Sequence, residues 1–425
     1  MFRLIVLLLT ITVLSLGLAW IADEPGRVAI DWGDYHIESS LLVLLAVVAL
    51  GAMACMMVYY VLFAILRSPR TWLRSRLAKR QMLGLEALTA AFAAIATQDI
   101  RAARRQIKRA QQYLPHQPLT LMLASQVARL EGNESQSRLY LEQMLKTEST
   151  EFMAMRGLVE NARRNHDDDM ALVHAEKALT LKPNDPWLTT TLVGLYTRKA
   201  RAQEALRLLD LAARKRTITR RQQRSLTAFV LYEHAKPLVA QQRWDEAQPA
   251  LHDALKCEPG FVPASALLAE AYSRQGKTTH ALKVISRAWK AAPHPLLTHA
   301  LLECLAPEET RKKVLRTAEK LARQQPDHRE SHFLNAALAL KGNKADTARG
   351  EIQHLLDARE TARACAVMAE VEHAAGNGDA SAHWLKRSHS ALPDPGYACD
   401  TCHRPSPAWE LTCPQCGSVG SMVWK

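Results

Sequence analysis

Small residues recur every 34 positions along much of this chain, and that period limits the possible folds more than any other feature. Ala103, Ser137, Ala171 and Ala205 stand at that interval. Ile107, Leu141, Ala175 and Leu209 follow them by four positions, and Ala110, Met144, Ala178 and Ala212 by three more. Apolar positions at i, i+4 and i+7 mark one face of a helix. After an insertion of eight residues the period resumes at Ala247 and Ala281, then near Val314, Ala348 and Ser381. Prolines close successive units at Pro115, Pro183, Pro259, Pro293, Pro326 and Pro393. Proline ends a helix because it lacks an N–H and restricts the residue before it. A unit of this length holds two antiparallel helices. It cannot bury its apolar face alone, so neighbours stack into a solenoid. Residues 85–395 are expected to hold about nine such units, several of them degenerate.

The clearest unit reads Leu268-Ala269-x-x-Tyr272, Gly276, Ala281, Ile285, Ala288, Pro293. It resembles the tetratricopeptide repeat, in which small residues let two helices approach and larger ones fill the gaps between pairs. The fold class is therefore all-α. A solenoid offers partners an extended surface rather than a preformed catalytic pocket. No Ser/His/Asp signature, phosphate-binding loop or His-Glu-x-x-His stands in the sequence, and Gly376-Asn-Gly378 lies in a repeat turn with no strand before it. The expectation is a protein that is not an enzyme. The insertion before Ala247 is expected to break the superhelix. Beside it runs Arg214, Lys215, Arg216, Arg220, Arg221 and Arg224. That run is either a solvated helix face or a grip for acidic protein, anionic lipid or nucleic acid.

The chain opens differently. Leu4–Ala22 is a run without a charge, and Ser39–Leu66 is a second, longer one. At 1.5 Å per residue the first spans about 28 Å, close to the roughly 30 Å hydrocarbon core of a bilayer. Between them Asp23, Glu24, Asp31, Asp34 and Glu38 face one cation, Arg27. After the second come Arg67, Arg70, Arg74, Arg76, Lys79 and Arg80, with no acid before Glu86. The positive-inside rule then places the N-terminus and everything after Arg67 in the cytoplasm. The expected organisation is a two-helix transmembrane hairpin over 1–66 (spans about 4–22 and 41–65, acidic periplasmic loop 23–38) followed by a basic juxtamembrane linker at 67–84. Cleavage of the first run as a signal peptide is the rival reading; the second run would still anchor the chain. The net charge of +13 is thereby partly explained by topology and lipid contact, and no nucleic-acid motif accompanies it.

At the far end, 396–425, lie four of the eight cysteines: Cys399-Asp-Thr-Cys402 and Cys413-Pro-Gln-Cys416-Gly417. Two Cys-x-x-Cys turns supply four thiolates to one tetrahedral ion. The closed shell predicts one structural zinc, or iron, which also accepts four sulfurs. Gly417 suits the turn after the last ligand, and Trp409, Val423 and Trp424 are expected to give the module its apolar cover. Two disulfides are the rival in an oxidising compartment. Cys399-x-x-Cys402-His403 also matches the c-type haem attachment pattern, and Cys413-Pro414 the short haem-responsive motif, which leaves haem as an alternative cofactor.

Gly26-Arg27-Val28-Ala29-Ile30, Trp32, Tyr35 and Ile37-Glu38-Ser39-Ser40 resemble the N-terminal region of the proteobacterial HemY family. The resemblance implies an inner-membrane anchor before cytoplasmic tetratricopeptide repeats, and a role in organising or regulating the late enzymes of protohaem synthesis as partners. A second likeness is to LapB, the lipopolysaccharide assembly regulator. Tyr397, Cys399, Cys402, Trp409, Cys413-Pro414 and Cys416 resemble its rubredoxin-like module, although that family has one membrane helix. Haem or porphyrin binding without turnover is the third reading.

Overall fold

The computed structural model describes residues 12, 15–16, 19–20, 26–33, 35–306 and 308–425. The expected first membrane helix, 4–22, lies outside the described residues apart from a few isolated positions. The chain divides into two compact units, Met1–Leu123 and Ala124–Lys425.

The first unit departs from the expected acidic loop. β1 (Arg27–Trp32) and β2 (Tyr35–Ser40) form an antiparallel hairpin whose register pairs Ile30 with Ile37 and Trp32 with Tyr35. Gly33 sits at the turn with φ 63°, a conformation that costs glycine little. Alternating β-branched and aromatic residues around a tight turn are a hairpin signal that outweighs the acidic side chains between them. α1 (Leu41–Ala96) follows directly as one helix of 56 residues. It carries the expected second span and continues through the basic stretch 67–84, which is helical throughout. Val43–Phe63 is long and apolar enough to cross a membrane, with mean hydropathy 2.3. Arg76, Lys79 and Arg80 are exposed; the side chains of Arg67, Arg70 and Arg74 lie outside the described ones. The last turns of α1 bury Ala87, Leu88, Ala91 and Ala94, and α2 (Ile100–Tyr113) buries Ala103, Ile107 and Ala110.

The helices then alternate without interruption: α3 (Pro118–Leu130), α4 (Glu134–Met144), α5 (Glu148–Arg164), α6 (Asp168–Leu181), α7 (Pro186–Arg198) and α8 (Ala202–Arg214). They continue as α9 (Arg220–Ala240), α10 (Trp244–Cys257), α11 (Val262–Arg274), α12 (Thr278–Ala291), α13 (Pro295–Glu303) and α14 (Glu308–Gln324). The last are α15 (Arg329–Lys341), α16 (Ala345–Ala358), α17 (Ala362–Ala374) and α18 (Gly378–Ser388). Taken pairwise, with the end of α1 opening the series, the described helices make nine successive pairs. The periodic small residues lie on the second helix of each pair. Ala103, Ala171, Ala205, Ala247, Ala281, Val314 and Ala348 are fully buried. The tolerance for a side chain there is set by helix–helix distance. Most turns inside the pairs place one residue in the left-handed region: Gln98, Gly132, His166, Ala200, Gln242, Gly276, Asn343 and Gly376. Several of these are not glycine and carry a local strain of about 1–2 kcal/mol.

The eight-residue insertion does not interrupt the array. It lengthens α9, which has 21 residues where the corresponding α7 and α11 have 13. α7 begins at Pro186 and α11 at Val262, equally far ahead of their buried alanines, Ala205 and Ala281. α9 begins at Arg220, eight positions further ahead of Ala247, so the two extra turns are at its N-terminal end. The six cations Arg214, Lys215, Arg216, Arg220, Arg221 and Arg224 are all exposed there, and none forms an ion pair among the described residues.

Candidate metal centre

After α18 the chain turns back along the first helices of the preceding pairs. Leu392 forms a parallel bridge with Thr361, its carbonyl accepting from Ala362 N–H at 2.9 Å. The Asp394 carboxylate accepts from Arg363 N–H at 2.6 Å. The Arg363 guanidinium in turn makes two bonds to the buried Glu330, at 2.7 and 2.8 Å. The module that follows is a three-stranded antiparallel sheet in the order β4-β3-β5: β3 (Tyr397–Cys399), β4 (Pro405–Ser406) and β5 (Met422–Trp424).

The two Cys-x-x-Cys turns project their thiols to one point. The Sγ atoms of Cys399, Cys402, Cys413 and Cys416 all lie within 4.8 Å of one another. Cys399 and Cys416 are 3.7 Å apart, and Cys402 and Cys413 are 3.8 Å apart. Four sulfurs held about 2.3 Å from a central zinc have tetrahedral edges of about 3.8 Å, so the four thiols fit a metal ion. Tight turns make this possible: His403 and Gly417 both adopt positive φ, at 58° and 70°. Burial pushes the Cys399 thiol up. The Ser418 and Ser421 hydroxyls, at 3.3 and 3.2 Å, and the N–H groups of Cys402 and Thr401 outweigh it, and the thiol is pulled down to about 5. Donors aimed at that sulfur favour the thiolate that a metal requires. The remaining cysteines are apart from the cluster: Cys304 and Cys365 are buried in the repeats, Cys257 is half-buried and Cys55 is exposed on α1.

The apolar cover differs from the expectation. Trp409 is buried, but the rings that cover it belong to the repeats. Its centroid lies 4.8 Å from Phe229, 5.4 Å from Tyr232 and 4.7 Å from Phe261. Trp424 stays 40% exposed and packs on His294, with centroids 4.1 Å apart. Tyr397, Leu411 and Met422 share one apolar core with α7 to α15. The module is thus a layer on the array rather than an appendage. The lengthened α9 supplies much of the platform, since Leu226 lies where Gly420 passes and Phe229 and Tyr232 meet Trp409. A Cβ on Gly194 of α7 would come 2.8 Å from Val419 and 2.9 Å from Thr412, so glycine is needed for that approach. The Arg163 guanidinium of α5 donates to the Gly417 carbonyl.

His294 is the N-cap of α13 and the polar pivot of this interface. Its Nδ1 accepts from Leu296 N–H at 3.1 Å, and its Nε2 lies 3.3 Å from the Tyr397 hydroxyl. The Nδ1 bond assigns the proton of the neutral ring to Nε2. Burial lowers its pKa to about 4, with the nearby Glu330 opposing and Arg363 assisting that shift. Burial also raises the Tyr397 phenol. Of the residues singled out in sequence, the four cysteines meet at one site. Phe229, Tyr232, Phe261 and His294 were not foreseen, because their partners in the tail are remote in sequence.

Comparison with known proteins bears on the front and middle of the chain. Residues 26–132 match the family described as HemY protein N-terminus, and residues 238–303 match a tetratricopeptide repeat. The probable magnetosome protein Mms48 of Magnetospirillum gryphiswaldense is 25% identical over 453 residues, covering 99% of this chain and 93% of its own length. Among solved structures, YrrB, a tetratricopeptide-repeat protein with an unusual peptide-binding site, is 16% identical with a TM-score of 0.33. The match covers 46% of this chain and 96% of YrrB. MamA is 15% identical with a TM-score of 0.26, covering 54% of this chain and 94% of MamA. The chain thus joins a HemY-type N-terminal region at 26–132 to tetratricopeptide-type repeats that include 238–303.

Proposed function

We propose that this protein is a membrane-anchored scaffold that organises or regulates the late enzymes of protohaem synthesis at the cytoplasmic face of a bacterial inner membrane. The observation that carries the reading is the joining, on one chain, of a membrane-length apolar helix stretch in the HemY-matching region to an array of helical hairpins. Such arrays bind partners over extended surfaces. The proposed boundaries are a two-span anchor over 1–66, a basic juxtamembrane stretch at 67–84, repeats at 85–395 and the metal module at 396–425. The proposed topology follows the basic stretch Arg67, Arg70, Arg74, Arg76, Lys79 and Arg80. The proposed ion is one structural zinc or iron on Cys399, Cys402, Cys413 and Cys416, with no catalytic role.

Crosslinking in native membranes followed by partner capture tests the proposal. Recovery of haem-pathway enzymes is the expected outcome. The packed four-cysteine module favours one second reading, a LapB-like regulator of lipopolysaccharide assembly. Recovery of only lipopolysaccharide enzymes and a membrane protease would select it. Haem titration separates a third reading: an unchanged Soret band in wild type and Cys413→Ser removes haem binding at the tail.

A further inference from the structure

The metal module does not fill the face it covers. Between its second knuckle and helices α5 and α7 remains a cleft of 930 Å³. This is near the top of the roughly 300–1,000 Å³ range of ligand pockets, room for a segment of several residues. One wall is the Pro414–Ser418 turn. The other carries Arg163 and Arg164 of α5 and Trp187, Thr190 and Arg198 of α7. We propose that this cleft binds an extended acidic segment of a partner protein, carboxylates to the arginines and an apolar side chain to Trp187. The proposal rests on the scaffold reading and gives it a site.

Free guanidinium donors decide the class of ligand. Three guanidiniums line the cleft, beside the Glu160 carboxylate and the sulfurs of Cys413 and Cys416, so it is the arginines' unused donors and not net charge that select a carboxylate. Arg163 donates to the Gly417 carbonyl and has no carboxylate within ion-pair distance among the described residues. Arg164 and Arg198 are each fixed by an acid outside the cleft lining, Glu134 at 3.1 Å and Asp168 at 2.7 Å. Each guanidinium carries five N–H donors, so one such partner holds it in place and leaves capacity for a second carboxylate. Trp187 is half-buried, with the Arg156 guanidinium 4.3 Å over its ring. Its indole N–H has no partner among the described residues. An aromatic surface flanked by fixed arginines suits a peptide that alternates acidic and apolar side chains. A cationic segment would find no acceptor on the arginines. Because the knuckle forms one wall, the site exists only while the tail is seated on α5 and α7.

The test uses the full chain in nanodiscs and a fluorescein-labelled peptide alternating Glu and Leu, with a Lys–Leu peptide as the charge control. The expected result is saturable binding of the Glu–Leu peptide alone, weakened at least tenfold by Arg164→Glu and by Trp187→Ala. Trp187→Ala removes no ion pair, so it guards against a fold defect in the charge variant, and both are checked by thermal melting. Equal binding by wild type and both variants, equal binding of the two peptides, or no saturable binding overturns the proposal. Partner capture from native membranes separates this outcome from the scaffold reading. If Arg164→Glu and Trp187→Ala recover the same partners as wild type, the scaffold stands and the cleft falls. If wild type recovers none, the scaffold falls whatever the peptide does.

Discussion

Two regions of this molecule solve one problem in opposite ways. Along Val43–Phe63 the large apolar side chains stand exposed, Met56 by 74%. In the tail, Trp409 is only 5% exposed, because the chain folds back and places its indole among three rings of the repeats. Burial of apolar surface drives the second arrangement, and the first leaves such surface open. The helix leaves that surface without cover from the described residues, whereas the tail finds its cover within the same chain. The first region is therefore sensitive to its surroundings, and the second to side chains far away in sequence.

The largest effect should come from the metal. Structural zinc sites in small domains contribute about 10–16 kcal/mol of apparent binding energy. Chelation, or Cys402→Ser, should unseat the module, and limited proteolysis should then cleave between Ser390 and Lys425 before the repeats. Metal analysis of the untreated protein should find about one ion per chain. A tail equally protected with and without metal would show that docking, not the ion, holds it.

Trp409→Ala removes a buried ring and should cost about 3–5 kcal/mol, read as a lower denaturation midpoint for the repeats themselves. Leu50→Arg probes the other region. It should cost about 2.5–3.5 kcal/mol in membrane insertion and leave the repeats' melting unchanged. Loss of repeat stability in that variant would break the contrast between the two regions.

Acid should act on the tail through His294. Its folded pKa, about 4, lies below the ordinary 6.5. Its contribution is fully present above pH 6.5. It is lost as the pH falls towards 4, because the unfolded chain takes up a proton that the folded one does not. The loss should reach about 3 kcal/mol in thermal melts. His294→Asn keeps a cap acceptor and should flatten that acid limb. The smallest effect belongs to a turn of the array: Ala200→Gly relieves a φ of 56° and should stabilise by about 1 kcal/mol or less.

The repeat architecture was legible because its constraint is local and repeated. Ala171, Ala205 and Ala281 are buried for the same reason, and each repeat restates it. The cysteine cluster was legible because all four ligands fall in the short stretch from Cys399 to Cys416. The hairpin at Arg27–Ser40 carried its own signal in Gly33 and the alternation around it, but the acids of that segment drew the reading towards a loop. The insertion was seen and its consequence was not. Eight extra residues read as a break in the superhelix, and only the tail surface that Leu226 and Phe229 meet accounts for two more helical turns instead. The pairs Phe261–Trp409 and His294–Tyr397 have no period and no local spacing, so the sequence offered no mark for them.

The backward course of the tail has a consequence for how the chain is made. In a simple solenoid each hairpin completes its core when the next one emerges from the ribosome. Here the core that runs from α7 to α15 also contains Tyr397, Trp409 and Met422. Those middle hairpins must wait, with Phe229 and Phe261 uncovered, until synthesis has passed them and reached Trp409. The nascent array therefore exposes an aromatic patch that closes only on chains that have been translated through the last cysteine turn.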